Sequence, residues 1–152
     1  MAPCNEDQFG LKTGEVSSLD LATGWDVRRA SDKSLAWRLL EEQKPLMVIL
    51  SPVCRGISVA FSRNWGRLPI EQIAEAEDES LTTVFFALEV ALHQIRNGRL
   101  FVLEQPDTAR SWQLEALKVV AKQPGVERVR FDQCSYGLRI GNGELSRKAT
   151  AC

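Results

Sequence analysis

The sequence lacks the residue patterns of metal sites, nucleotide-binding loops and membrane spans. It has one histidine, and its four cysteines form no C-x-x-C pair, which argues against a zinc site. It contains no G-x-G-x-x-G, P-loop or H-E-x-x-H motif. No apolar run approaches the roughly 18 residues that a membrane-spanning helix requires. We therefore expect no bound metal and no membrane partner.

An excess of charge is missing as well. The formal net charge is −1, so there is no global attraction to nucleic acid or anionic lipid, although a local basic patch stays compatible with it. The first ten residues are polar and do not resemble a signal peptide, and the cysteine spacing does not suggest a secreted disulfide framework. These features predict an intracellular protein, cytoplasmic or nuclear.

The sequence does contain alternating strand and helix patterns. Apolar runs predict buried strands at Leu46 to Leu50 and Leu100 to Leu103. Weaker patterns predict a short strand at 15–21 and an edge strand at Val126 to Phe131. The predicted helices extend from an N-cap at Ser31 to Gln43, from Pro69 to Asn97, and from an N-cap at Ser111 to Lys122.

This order of elements predicts an α/β fold. It corresponds to one domain over residues 15–152, with a mostly parallel sheet and helices on both faces. Residues 1–14 show no period, and we expect them to be disordered or loosely packed. The chain of 152 residues is long enough to bury a core in such a domain.

Polar residues follow each predicted strand. They are Asp20, the segment Ser51 to Cys54, Glu104 and Asp132. Ligands of parallel α/β sheets bind beyond the carboxyl ends of the strands. The sequence therefore predicts a functional site at this edge of the sheet.

Cys54 is the candidate nucleophile at this edge. Pro52 and Gly56 shape a turn around it, and Arg55 is expected to favour the reactive thiolate. The competing interpretation is that Cys54 is a small buried hydrophobic residue, which is the usual environment of a free cysteine.

Other residues in the same regions have two interpretations each. Glu104 is a candidate proton donor or a solvated loop residue, and Asp20 is a candidate ribose acceptor or a turn residue. Trp65, near Arg63, either stacks on a nucleic-acid base or packs its loop. His93 lies off the apolar stripe of its helix, so we expect a surface residue and not the partner of a catalytic cysteine.

Four segments together resemble DNA cytosine-5 methyltransferases, especially phage and retroelement-borne relatives. SPVCRGIS (51–58) is similar to the P-P-C-Q-G-F-S loop, and LFVLEQP (100–106) is similar to the strand that ends in Glu-Asn-Val or Glu-His-Pro. FDQCSYGL (131–138) resembles a D-Q-C-x-F/Y-G-L segment, and SLDLATGWD (18–26) also matches. The order and spacing agree over roughly residues 17–150, which is most of the chain.

The resemblance implies a Rossmann-like methyltransferase-type fold and methyl transfer from S-adenosylmethionine to cytosine in DNA. It implies that Cys54 attacks carbon 6 of a base that is flipped out or single-stranded, while Glu104 stabilises protonation of ring nitrogen 3. It also implies cofactor contacts for Asp20, Ser51 and Pro52. The implied substrate-binding residues are Arg55, Ser58, Arg63, Trp65 and Tyr136, with 132–137 supporting the site.

The first cofactor motif of that family has no counterpart in residues 1–14, which lack a D-x-F-x-G-x-G run. One interpretation is therefore a domain truncated at its N-terminus. The alternative function is a catalytically inactive, mobile-element-derived remnant that acts as a binding or interaction module. A third interpretation is an unrelated α/β protein in which Cys54 is simply buried.

Overall fold

The computed structural model describes residues 18–141, 143–145 and 148–152. The chain divides into two compact units, Met1–Pro45 and Leu46–Cys152. The predictions for residues 1–14, and for the first part of the strand at 15–21, lie outside the described residues. Within the described ranges, no helix is both long enough and apolar enough to cross a membrane.

The first unit contains helix α1, Ala30–Gln43, preceded by a 3₁₀ turn at Leu21–Thr23. The predicted strand at 15–21 is wrong over 18–21, because the Asp20 carboxylate caps the 3₁₀ turn and draws the chain into a bend. The helix begins two residues earlier than predicted, with Arg29 and not Ser31 at the N-cap. The Ser31 hydroxyl instead donates a hydrogen bond to the Asp32 carboxylate.

The second unit is built on two parallel strands joined by a long helix. Strand β1, Met47–Leu50, pairs with strand β2, Leu100–Leu103, over the full length of both. In the chain between them lie the short helix α2, Val59–Ser62, and the long helix α3, Ile70–Arg96. Pro69 occupies the N-cap of α3, as its fixed φ favours. The predicted bounds of α3 and of strand β2 are confirmed.

The core of this unit lies between α3, β2 and helix α4, Glu115–Ala121. Two alanines of α3, Ala87 and Ala91, belong to this core. The buried cluster consists of Ile57, Val84, Ala87, Leu88, Ala91, Leu103, Leu117 and Val120. The predicted helix from Ser111 is corrected, because 110–113 forms a 3₁₀ turn and α4 begins after Leu114.

The apolar run of β1 predicted a strand that is buried on both faces, and this prediction is wrong. Its burial alternates along the strand, and Ile49 is 68% exposed. Only one face of the strand packs against the rest of the unit. The uninterrupted apolar run therefore corresponds to a half-buried strand.

A second sheet follows β2 directly. It contains strand β3, Gln105–Pro106, strand β4, Arg130–Asp132, and strand β5, Ala149–Ala151, in the order β3-β5-β4. Both pairs are antiparallel. Within the edge strand predicted at Val126 to Phe131, backbone pairing begins at Val129 and the assigned strand begins at Arg130, and β5 was not predicted. The fold is mixed α/β, and its described strands form a parallel pair and a separate antiparallel sheet in place of one mostly parallel sheet.

Candidate active site

Cys54 and Glu104 lie at the carboxyl ends of the two parallel strands. The Glu104 N–H donates to the Leu50 carbonyl at 2.8 Å, which fixes Glu104 beside the last residue of β1. Cys54 lies four residues beyond Leu50, in the loop that follows β1. Glu104 and Lys148 form an ion pair at 3.8 Å, and the charges of both act on the pKa of the Cys54 thiol.

Glu104 presents a carboxylate oxygen that no described residue satisfies. Its Oε1 atom is buried and accepts no hydrogen bond, and the Lys148 ammonium lies 3.8 Å from it. The side chain is 25% exposed, so it lies at the rim of the core and within reach of a ligand. A carboxyl group with an unused oxygen in this position is suited to bond a polar group of a bound molecule.

The Cys54 thiol is not activated in this structure. Burial against the core cluster raises its pKa above the ordinary value, and the Glu104 charge raises it further. The Lys148 ammonium acts in the opposite direction. At neutral pH the thiol is therefore protonated, which agrees with the interpretation of Cys54 as a partly buried apolar residue.

The expectation that Arg55 favours the thiolate is wrong. The Arg55 guanidinium lies over the ring of Phe61, 5.5 Å from its centroid, and Lys148 supplies the positive charge that acts on Cys54. The positive charge that acts on Cys54 therefore comes from the C-terminal segment and not from its neighbour in the sequence. Sequence order carries no signal for this contact.

The loop around Cys54 is fixed to α3 at Gly56. Its N–H donates to the buried Ser80 hydroxyl at 2.9 Å. A β-carbon on Gly56 would lie 2.1 Å from the Ala76 carbonyl oxygen, so only glycine fits against the helix backbone. Glycine is required here for close approach and not for a turn with positive φ, since Gly56 is not among the residues with positive φ.

Gln105 holds the other end of the loop. Its side chain is 1% exposed, and its Nε2 donates to the Pro52 carbonyl at 2.7 Å. Its Oε1 accepts from the Ser111 hydroxyl at 3.3 Å. The sequence analysis did not identify Gln105 as a site residue, although a polar residue directly after an apolar strand was a signal that could have found it.

Most of the predicted substrate-binding residues have structural contacts. Ser58 caps α2 by accepting from the Phe61 N–H, and Arg63 is the residue that ends this helix. The ring of Trp65 lies under the Arg110 guanidinium, 5.1 Å from it, which supports the loop-packing interpretation. Tyr136 differs, since it is 80% exposed, and its ring packs edge-to-face with the ring of Phe131.

Two of the three predicted cofactor-binding residues have hydrogen bonds within the protein. One oxygen of the Asp20 carboxylate accepts from the Ala22 N–H, and Asp20 belongs to the first unit. The Pro52 carbonyl accepts from Gln105, and Ser51 is an exposed residue after β1.

A polar cavity of about 320 Å³ lies beyond β3. It is lined by Arg110, Arg128 and Arg130, together with Asp107 and Trp112. Asp107 pairs with Arg128 at 3.0 Å and also with Arg130. Three arginines against one aspartate give the cavity a positive balance that the sequence analysis did not localise.

The described residues contain no group of three His, Cys, Asp or Glu side chains able to hold a metal ion. The shared position of Cys54, Glu104 and Lys148 is therefore the feature on which a functional assignment depends. Comparison with known proteins adds nothing to it: the chain matches no protein-family model, and no curated protein or solved structure is significantly similar to it.

Proposed function

We propose that this chain carries the cytosine-directed site of a DNA cytosine-5 methyltransferase-like domain, with Cys54 as nucleophile and Glu104 as the carboxyl partner of the base. The observation that carries the proposal is the common location of the two side chains at the ends of β1 and β2. A thiol and a carboxyl group at one strand edge form the pair that this chemistry requires.

The proposed step is addition of the thiol to the ring. The Cys54 sulfur forms a bond to carbon 6, the π electrons of the C5–C6 bond move through the ring, and nitrogen 3 gains a proton. Glu104 holds that proton on nitrogen 3, and the thiol loses one proton, so the addition is balanced within the site. This role is supported by the Glu104 Oε1 atom, which accepts no hydrogen bond from a described residue.

The substrate of this step is a base outside the helical stack. A cytosine paired in a duplex hides carbon 6 from any thiol, so the base is flipped out or already single-stranded. The arginine-lined cavity beyond β3 offers Arg110, Arg128 and Arg130 to a phosphate backbone in the same unit. Their positive charge supports DNA as the partner.

S-adenosylmethionine is the methyl donor of the proposal and would supply a methyl group to carbon 5. Among the residues expected to hold it, the Asp20 carboxylate already accepts from the Ala22 N–H, and the Pro52 carbonyl already accepts from Gln105. We therefore derive no step through the donor.

The addition step is testable without any donor, because it makes the hydrogen on carbon 5 exchangeable. We expect a single-stranded oligonucleotide in deuterated buffer to gain deuterium at carbon 5 of cytosine, measured by mass spectrometry. Exchange should disappear in Cys54→Ser and fall at least tenfold in Glu104→Gln. Cys134→Ser is the matched control and should exchange at the wild-type rate. Equal rates for wild type and Cys54→Ser would overturn the proposal.

The raised pKa of Cys54 favours a second candidate function, an inactive mobile-element-derived module that binds a partner. Its thiol packs against the core as an ordinary apolar group would. This candidate predicts no deuterium exchange and no binding of S-adenosylmethionine by calorimetry. Saturable micromolar binding of the donor would reject it.

A further inference from the structure

Strand β2 has one edge without a partner among the described strands. On its other edge the N–H groups of Leu100 and Glu104 donate to the carbonyls of Leu46 and Leu50 on the β1 side, each at 2.8 Å. Alternate residues of a strand direct their backbone groups to opposite edges. The backbone groups of Phe101 and Leu103 therefore face away from β1, and no described strand pairs with them.

This free edge forms one wall of an apolar groove of about 520 Å³. The segment 124–129 forms the opposite wall, and the core residues Leu88, Leu117 and Val120 contribute to its lining. Cys152 also lines the groove. Two extended segments thus lie on either side of an apolar space in the same compact unit.

Strand β5 points into this groove, and its pairing fixes the register. Ala151 pairs with Gln105 on one side and with Arg130 on the other. Cys152 and Val129 exchange both backbone hydrogen bonds, at 2.8 and 2.9 Å. A segment in line with β5 would therefore lie between β2 and 126–129 as the next part of the same antiparallel ladder.

The hydrogen-bonding positions of that added segment follow from the alternation of bonded pairs. Gln105 and Val129 face β5 at bonded positions, so the next bonded positions are two residues further along each wall. These are Leu103 and then Phe101 on β2, and Glu127 on the opposite wall. The two residues whose backbone groups face away from β1 are the two that the ladder requires.

A positive side chain lies at the far end of the groove. Arg99 lines it and directly precedes β2, and its Nε atom is buried without a hydrogen-bond partner. Arg99 donates to His93 at 2.8 Å, but it forms no ion pair with a carboxylate of the described residues. A segment running antiparallel to β2 brings its C-terminal part to Arg99.

We propose that this groove binds an extended segment of a partner polypeptide as an added β-strand, antiparallel to β2. The segment consists of apolar or β-branched residues followed by an acidic residue that pairs with Arg99. Main-chain hydrogen bonds to Leu103, Phe101 and Glu127 supply the pairing, and the apolar lining supplies the side-chain contacts. This interaction is independent of the chemistry proposed for Cys54.

The test uses the whole chain and an acetylated hexapeptide of alternating valine and threonine that ends in glutamate. We expect saturable binding by calorimetry. The amides of Phe101, Leu103 and Glu127 should exchange about tenfold more slowly at a peptide concentration of about ten times Kd. The amide of Val102 serves as the internal control, because it faces β1. A peptide N-methylated at alternate residues should not bind.

The variant Arg99→Gln tests the charge. It should lower the affinity for the glutamate-ended peptide about fivefold and leave the affinity for a glutamine-ended peptide unchanged. The matched control Arg96→Gln should change neither affinity. Two results would overturn the proposal. One is the absence of binding at millimolar peptide, and the other is binding without protection of Phe101 and Leu103.

Discussion

The two strand ends that meet at the candidate site differ in how their polar groups are used. In the loop after β1, the Pro52 carbonyl, the Gly56 N–H and the Ser58 hydroxyl all have hydrogen-bond partners within the protein. After β2, the Glu104 carboxylate keeps one buried oxygen without a hydrogen bond. One strand end is a fixed support, and the other retains a group for a ligand.

This difference separates positioning from chemistry. The loop contacts α3 through Gly56 and the region after β2 through Gln105, so Cys54 is presented by a rigid frame. Glu104 has Lys148 as its ion-pair partner at 3.8 Å, a distance that leaves room for adjustment. Substitutions in the loop should therefore act on stability, while substitutions at Glu104 should act on reactivity.

Gly56→Ala should have the largest effect on the frame. The added β-carbon would lie 2.1 Å from the Ala76 carbonyl oxygen, and that backbone oxygen belongs to a helix that cannot move away at low cost. We expect a loss of about 3 kcal/mol in the free energy of unfolding, measured by urea denaturation.

The control for this variant is Gly66→Ala. An alanine there meets no atom within 4 Å, and Gly66 is not among the residues with positive φ. Its unfolding free energy should change by less than about 0.5 kcal/mol. Equal effects of the two variants would show that the loop does not approach α3 as described.

Gln105→Ala should have the second largest effect. It removes the amide group that donates to the Pro52 carbonyl and accepts from the Ser111 hydroxyl. It also leaves a cavity, because the side chain is only 1% exposed. The expected loss is about 2 kcal/mol, with faster thiol labelling of Cys54 because the loop loses its tie. Gln113→Ala, at an exposed position, is the matched control and should be nearly neutral. A stable Gln105→Ala would contradict the support assigned to this side chain.

Local patterns predicted the elements that depend on local interactions. Pro69 and Asn97 delimit α3 as expected, and the run from Leu100 to Leu103 is a strand with the predicted bounds. The short strand β5 could not be predicted, because Ala149–Ala151 is a strand only through its pairing with two others. One of these is β3, more than forty positions away in the sequence, and the other is β4. Small residues with no apolar period do not signal a strand until both partners are known.

The candidate site shows the same limit. Cys54 and Glu104 were identified because each follows an apolar run, which is a local signal at a strand end. Lys148 was not, because its approach to Glu104 depends on the return of the C-terminal segment. Gln105 directly follows Glu104 and was not identified as a site residue, although its burial makes it a support of the loop.

The variant Ser58→Ala tests whether the Ser58 hydroxyl stabilises the loop or binds a substrate. It removes the acceptor for the Phe61 N–H at the start of α2, and we expect a loss of about 1 kcal/mol in unfolding free energy. Ser58→Asp retains a capping oxygen and should recover most of this loss. If both variants are as stable as wild type, Ser58 is not the structural cap.

The smallest expected effect concerns the reactivity of Cys54, and it separates the two strand ends most directly. Burial and the Glu104 charge raise the pKa of the thiol above its ordinary value of 9.0. The protonated thiol is therefore favoured in the folded state. Its contribution to stability is complete below the unfolded pKa and is lost as pH rises through the folded pKa.

Glu104→Gln removes one of the two causes, so it should move the pH profile of Cys54 labelling to lower pH. Lys148→Gln should move the profile in the opposite direction, since the ammonium lowers the same pKa. The measurement is the rate of thiol labelling against pH in a chain whose other three cysteines are serine. Glu115→Gln, in α4, is the control and should leave the profile unchanged.

Neither Glu104→Gln nor Lys148→Gln should change the unfolding free energy at neutral pH by more than about 1 kcal/mol, because the ion pair is partly exposed. A shift of the same sign in both variants would mean that the thiol does not lie between these two charges, and Cys54 and Glu104 would then no longer define one site.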